Sequence, residues 1–201
     1  MEFVYREVQA VLTHKHNIAG ANLTAFRGRI QHMQRLGFPS GVNTGKGNPV
    51  RYTWRELLLL GLAFEYVEIG ATPDRSVAEI SKFEDTLLAG ICEMILAKPQ
   101  LDDGGSAKCF LLADLSALLT LKVEERWHQQ CSILTIEDIN RMLSAQGDDA
   151  YRSPYTIVDL RQFLGGLTSS VIDVCGLDNR IVASDIKAWA FREASVGAEL
   201  I

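Results

Sequence analysis

The strongest constraint on the fold of this chain is an apolar helix whose two ends are both marked in the sequence. Its apolar run, residues 57–64, is far too short to span a bilayer. Thr53 and Glu56 form a capping-box pattern ahead of the run, and Gly70 follows it, so the sequence predicts a helix over residues 54–69. With 201 residues and an apolar fraction of 47%, the chain is long and apolar enough to form a hydrophobic core.

The N-terminal residues and the cysteines indicate a soluble, cytoplasmic protein with no membrane span. The first seven residues, Met-Glu-Phe-Val-Tyr-Arg-Glu, lack a basic segment followed by an apolar one, so no signal peptide is predicted. The four cysteines are widely separated and include no Cys-x-x-Cys pair, a pattern typical of reduced thiols: Cys92, Cys109, Cys131 and Cys175.

Charge is distributed unevenly along the chain, although the whole sequence has a net charge of −5. Residues 1–55 carry eight Lys/Arg against two acidic residues, a net charge of +6, whereas residues 56–201 have a net charge of −11. A basic first quarter on an acidic body indicates that one end of the protein faces a polyanion. A chance excess of surface arginines and lysines is the alternative.

The first two helices are predicted over residues 2–13 and 23–36. Asn22 is a favourable N-cap for the second helix, and Gly37 and Pro39 end it. The second helix has an apolar stripe on one side, and its other side is polar and basic enough to fit a DNA groove. The alternative is that this polar side is simply exposed to solvent. At about 100° per residue, the side opposite the stripe carries Thr24, Gly28, Gln31, His32 and Arg35, and Arg27 and Arg29 lie on its flanks.

A turn-rich segment over residues 41–48 and a short strand over residues 50–53 predict a β-hairpin, or wing. Because backbone amides and cations in a hairpin suit phosphate oxygens, Lys46, Asn48 and Arg51 are candidate phosphate contacts. The glycines ahead of Lys46 are one residue too closely spaced for the phosphate-binding loop of nucleotide hydrolases. In such a loop a Ser or Thr follows the lysine, but in this chain a glycine follows Lys46. Nucleotide hydrolysis is therefore not predicted.

The second half of the sequence predicts one long connecting helix and then a small α/β domain. Thr72 and Pro73 suit the N-cap and first residue of a helix that extends to residue 97 and carries an apolar seam. A stretch rich in Gly and Asp at residues 100–106 marks a domain boundary. Further on, the predicted elements are strands over residues 109–113, 131–134 and 155–158 and a last helix over residues 184–197.

Two of these strands run into the same pattern, Asp-Leu-x-x-apolar-Leu, beginning at Asp114 and at Asp159. The similarity of the two segments suggests an internal repeat of a strand–helix unit. Each Asp is then either the N-cap of a helix or a catalytic carboxylate at the end of a strand. His128 and Cys131 are three residues apart and could bind one metal ion together, but the sequence has no second pair of ligands near them. With no Ser/His/Asp or Cys/His arrangement, we predict no enzymatic activity, no metal and no cofactor.

Three motifs in succession carry a family resemblance: Gln34-Arg-Leu-Gly-Phe-Pro, then Arg51-Tyr52-Thr53-x-x-Glu56-Leu57 after a Gly-rich wing, then Glu68-Ile-Gly-Ala-Thr-Pro-Asp-Arg75. Over roughly residues 1–80 the chain resembles MerR-type regulators. The resemblance implies a recognition helix in the major groove and a wing along the phosphates. It does not transfer individual base contacts, because Gln31-His32-Met33 stands where that family has Arg-Tyr-Tyr.

We therefore expect an α+β fold with a winged helix-turn-helix at residues 1–75, a connecting and dimerisation helix at residues 76–99, and an α/β domain at residues 100–201. The predicted function is sequence-specific transcriptional regulation as a homodimer on double-stranded DNA, with the acidic C-terminal domain free to bind a protein partner. An architectural DNA-binding factor and a protein-interaction adaptor are the alternatives. The predicted DNA contacts are Thr24, Arg27, Arg29, Gln31, His32, Arg35, Lys46, Asn48, Arg51 and Tyr52.

Overall fold

The structure, a computed structural model, is mainly helical with two small antiparallel sheets, which confirms a mixed helix-and-sheet class. It describes residues 1–42, 50–97, 108–114, 131–144 and 155–198. In chain order the elements are β1 (Phe3–Val4), α1 (Tyr5–Lys15), α2 (Leu23–Arg35), β2 (Arg51–Tyr52), α3 (Trp54–Glu68), α4 (Pro73–Lys82), α5 (Glu84–Leu96), β3 (Phe110–Ala113), β4 (Cys131–Leu134), α6 (Ile136–Ser144), β5 (Thr156–Asp159), α7 (Leu160–Cys175) and α8 (Asn179–Ala198).

Helix α3 is the helix predicted from the apolar run, and it is buried on nearly every side. Ten of its 15 residues are buried, including the four consecutive leucines at positions 57–60. Its N-terminus has the predicted capping box: the Thr53 hydroxyl accepts from the Arg55 amide, and the Glu56 carboxylate accepts from the Thr53 amide at 2.6 Å. These bonds satisfy backbone donors that the first turn of a helix leaves free.

The N-terminus departs from the prediction, because residues 3 and 4 form a strand rather than the start of a helix. β1 pairs antiparallel with β2, with Phe3 opposite Tyr52 and Val4 opposite Arg51. The Phe3 ring packs edge-on against Trp54, with ring centroids 5.4 Å apart, so burial of this aromatic ring favours the strand. The strand predicted over residues 50–53 is confirmed. The tip of the predicted wing, residues 43–49, lies outside the described residues.

The prediction of one long connecting helix is wrong, because the chain leaves helical geometry at Phe83. α4 ends at Lys82 and α5 begins at Glu84, with Phe83 at φ −114° and ψ 18°. Thr72 and Pro73 do begin α4 as predicted. The apolar seam assigned to dimerisation is instead buried within this chain, where α4 packs on α3 and α5 packs on α8: Val77, Ile80, Leu87 and Ile91.

The three predicted strands of the C-terminal half are confirmed, and they form one antiparallel sheet in the order β4-β3-β5. Asp159 caps α7 by accepting from the amides of Arg161 and Gln162, at 2.9 and 3.2 Å. The last helix begins at Asn179, earlier than predicted. Most of the six-residue segment that begins at Asp114 lies outside the described residues, so the internal repeat stays a prediction.

The predicted N-terminal and C-terminal units share one buried cluster that extends from β1 to α8. α1 packs along α7, and the Trp54 indole donates to Asp185 of α8 at 2.7 Å. The predicted boundary at residues 100–106 lies among residues that the structure does not describe. Among the helices it describes, none is both long and apolar enough to cross a membrane.

The crossing of α3 and α7 provides a test of this shared core. A Cβ atom on Gly61 of α3 would lie 3.0 Å from the ring of Phe163, closer than ordinary contact, so Gly61→Leu should lower the free energy of unfolding by about 1–3 kcal/mol or more through overpacking. Gly165→Ala on the open side of α7 is the matched control and should raise it by about 0.5–1 kcal/mol. Urea unfolding measures both. Equal stability of Gly61→Leu and the parent would contradict the crossing.

Candidate nucleic-acid interface

Helix α2 presents the polar and basic side that the sequence predicts. Its apolar stripe is buried at Phe26, Ile30 and Met33. Outside that stripe, five of the predicted DNA contacts have exposed side chains. They are Thr24, Arg27, Arg29, Gln31 and Arg35.

The charges of the arginines on this face are not neutralised by ion pairs within the described part of the chain. Within the described part of the chain, none of Arg27, Arg29 and Arg35 forms an ion pair, and Arg29 has only a long 3.5 Å contact to the Ala25 carbonyl. The guanidinium groups therefore remain free to meet phosphate or carboxylate oxygens.

A second group of exposed cations lies where β2 meets the start of α1. Arg51 is exposed, and its contact with Glu2 is long, at 3.9 Å, and solvated, so the pair costs little to break. Arg51 lies opposite Val4, one residue before α1. Burial raises the pKa of Tyr5, and the positive charge of Arg27 on α2 lowers it. Arg27 therefore lies close to Tyr5. Arg27 and Arg51 thus lie near the same helix N-terminus.

Arg6 is an exposed cation in the first turn of α1 that the sequence reasoning missed. It stands beside the cations at the β2–α1 junction, so it is a further candidate for phosphate contact. The excess of positive charge over residues 1–55 was the available signal, but helix periodicity alone did not single out this residue.

His32 is less available to DNA than its position in the helical projection predicts. Its side chain is only about one-third exposed, and its Nε2 atom lies 2.9 Å from Oδ2 of Asp74 in the first turn of α4. The hydrogen bond from His32 is the main cause that holds the Asp74 pKa below its usual value. The pair joins α2 to α4, so His32 positions the helix.

Tyr52 is also wrong as a predicted DNA contact, because its side chain is 0% exposed. Its hydroxyl accepts a hydrogen bond from Gln34 of α2, and burial raises its pKa. The residue therefore fixes the C-terminal half of α2 on β2. The predicted wing contacts Lys46 and Asn48 lie outside the described residues.

The turn between α1 and α2 is held by a buried histidine. His16 packs against the rings of Phe26 and Phe64, with centroids 6.4 and 5.6 Å away, and its Nδ1 atom lies 2.6 Å from the Glu68 carboxylate. Burial lowers the His16 pKa and outweighs the hydrogen bond to Glu68, which raises it. The folded protein therefore favours the neutral imidazole.

Comparison with family models, with curated proteins and with solved structures found no match to this chain.

The buried His16 predicts a pH dependence of stability. Below its ordinary pKa of 6.5, an unfolded His16 binds a proton that the folded protein resists, so the free energy of unfolding falls as pH drops from 6.5 towards the lower folded pKa. Each unit by which the pKa is lowered corresponds to about 1.4 kcal/mol. His16→Gln lacks this titration, so urea unfolding from pH 8 to pH 5 should show a steeper loss in the parent. Parallel pH profiles would contradict the assignment.

Proposed function

We propose that this protein is a sequence-specific, DNA-binding transcriptional regulator that reads duplex DNA with α2. The observation that carries the proposal is the set of exposed arginines on α2, which have no ion pairs in the described part of the chain. Such cations on an amphipathic helix of this length fit the major groove, and their phosphate contacts give salt-dependent affinity.

The order of elements supports a winged helix-turn-helix of the MerR type. Two helices, α1 and α2, precede a strand and then the buried helix α3, and the residues between α2 and β2 would form the wing. In this arrangement Arg51 would stand at the base of the wing, and the sequence assigns Lys46 and Asn48 to the wing as phosphate contacts. The MerR resemblance in the sequence implies the same division between helix and wing.

Two hydrogen bonds support a reading role for α2, because a reading helix must keep one orientation. His32 bonds Asp74 of α4, and Gln34 bonds Tyr52 of β2. Each bond links α2 to an element that packs on α3. A helix held at two points loses less freedom when it binds, so its base contacts give more discrimination. Gln31 precedes the His32 anchor, is exposed and lies within reach of the Tyr5 hydroxyl, and its amide can donate to and accept from base edges.

A homodimer and a protein partner for the acidic C-terminal half belong to the same proposal. One small module rarely buries enough DNA surface for tight binding, and two copies would match a palindromic site. The dimer interface must lie outside the apolar seam of α4 and α5, which this chain buries itself. The net charge of −11 over residues 56–201 disfavours contact of that half with DNA.

The arginines of α2 can be tested by the salt dependence of binding. Arg27→Ala and Arg35→Ala should each weaken binding to random and selected duplexes alike, and should reduce the slope of log affinity against log salt by about one unit. Arg180→Ala, an equally exposed arginine at the start of α8, is the matched control and should leave the slope unchanged. An unchanged slope in both α2 variants would reject DNA binding by this face and favour a protein-interaction adaptor.

Sequence reading by α2 is tested with Gln31→Ala on a site selected from random DNA. Loss of a base contact should cost about 1–3 kcal/mol on that site and little on random duplex. Ser169→Ala, at an exposed position of α7 outside the proposed face, is the control and should leave both affinities unchanged. If no site can be selected, or if Gln31→Ala weakens all duplexes equally, an architectural DNA-binding factor replaces the regulator.

A further inference from the structure

The outer edge of the C-terminal sheet lacks the features that usually prevent strand pairing. β5 is an edge strand, because the order of the described strands is β4-β3-β5. Ile157 in β5 is 44% exposed, whereas β4, the other edge strand, has no exposed residue. Natural sheets often protect an edge with a lysine, a proline or a bulge, but β5 contains no lysine or proline and its register with β3 is regular. An apolar edge of this kind favours pairing with another strand.

The register of the sheet shows which backbone groups of β5 face outwards. The Leu160 amide donates to the Cys109 carbonyl at 2.8 Å, so these two residues occupy a hydrogen-bonded position of the ladder. Because such positions alternate along an antiparallel pair, the even-numbered residues of β5 direct their amides and carbonyls to β3. The amides of Ile157 and Asp159 and the Ile157 carbonyl therefore point to the outer edge. Within the described part of the chain they have no hydrogen-bond partner.

The charged groups next to this edge already have partners within the chain. A groove of about 260 Å³ lies beside β5 and is bordered by the C-terminal end of α3. Lys15 and Glu65 line the groove and form an ion pair, and the Asp159 carboxylate accepts from the first amides of α7. Ile69 lines the same groove and is exposed. A second strand along β5 therefore meets apolar side chains and free backbone groups, and it leaves none of these charges buried without a partner.

We propose that β5 pairs with β5 of a second copy of this chain, antiparallel about a two-fold axis that passes beside Ile157. In this register the two Ile157 residues exchange both of their hydrogen bonds, and each Asp159 amide donates to the Tyr155 carbonyl of the other copy. The contact is self-complementary, because the same donors and acceptors occur on both sides. It places the two Ile157 side chains next to each other and joins the two sheets into one continuous sheet.

The proposal rests on the proposed function in one respect, the homodimer, whose interface must lie outside the apolar seam of α4 and α5. A second copy suits this edge because its strand is already ordered, so it loses less conformational entropy on pairing than a disordered peptide does. Strands of four residues form a smaller contact than a standard interface, and we therefore expect a dissociation constant in the micromolar range. Two half-sites on one DNA duplex would then hold the two copies together.

Sedimentation of the full chain over a range of concentrations, without DNA, tests the interface. The parent should pass from the 22.3 kDa monomer to a dimer as its concentration rises. Ile157→Lys should weaken dimerisation about tenfold or more, because like charges would then lie directly opposite each other. Ile181→Lys, at an exposed isoleucine of α8, is the matched control and should leave the dimer unchanged. A parent that stays monomeric far above the micromolar range, or an Ile157→Lys variant that dimerises as well as the parent, would overturn the proposal.

Amide hydrogen exchange followed by NMR provides a second measurement that needs no variant. Exchange of the Ile157 and Asp159 amides should slow as the dimer forms, whereas exchange of the even-numbered amides of β5, which bond β3, should change much less. Unaltered exchange at both outward amides in a dimeric sample would place the interface elsewhere and reject the β5 pair.

The dimer interface and DNA binding can fail separately. A monomeric parent would reject the β5 pair but leave the salt dependence of the α2 arginine variants as a valid test of DNA binding. Conversely, an unchanged salt slope in those arginine variants would reject DNA binding by α2, while loss of the dimer in Ile157→Lys would still support the β5 pair.

Discussion

The burial of α3 is the constraint on which the rest of the fold depends. A helix that is apolar on nearly every side must be covered on nearly every side, because each exposed leucine would forgo about 1.5–3 kcal/mol of burial. The first covering elements come from the N-terminal half, where the Phe3 and Phe26 rings reach the Trp54 and Phe64 rings. The C-terminal half supplies the remainder through α7, which approaches α3 at Gly61.

This arrangement decides which polar groups of α2 can meet a ligand. The side facing the core uses Phe26, Ile30 and Met33 for burial. At the edges of that side, His32 and Gln34 are occupied by Asp74 and Tyr52. The remaining polar side chains of α2 are exposed, and most of them are arginines. One side of α2 therefore serves the core, its edges are bonded to neighbouring elements, and its exposed side carries the proposed DNA contacts.

Local signals in the sequence predicted the elements around the candidate site well. The capping box of Thr53 and Glu56, the Thr72-Pro73 start of α4 and the apolar stripe of α2 all depend on residues within one or two helical turns. Such short-range patterns determine helix ends and buried faces regardless of the distant chain.

Three departures from the sequence predictions involve partners that are distant in the sequence. The two residues of β1 form a strand because they pair with Arg51 and Tyr52. No pattern among neighbouring residues predicts that pairing. His32 was assigned to the outer face of α2 because a helical projection cannot include Asp74, which is 42 residues away. The break at Phe83 follows from the packing of α4 on α3 and of α5 on α8, while the apolar seam continues across it.

The overall negative charge of the chain does not oppose a basic face on α2. At physiological salt the Debye length is about 8 Å, so exposed acidic groups more than about one such length from α2 contribute little to the potential there. Two carboxylates beside α2 already have hydrogen-bond partners in the chain, since Asp74 bonds His32 and Glu68 bonds His16. A polyanion approaching α2 therefore meets the field of its arginines and of the helix N-terminus at Tyr5, and net charge is a poor guide to what this face can bind.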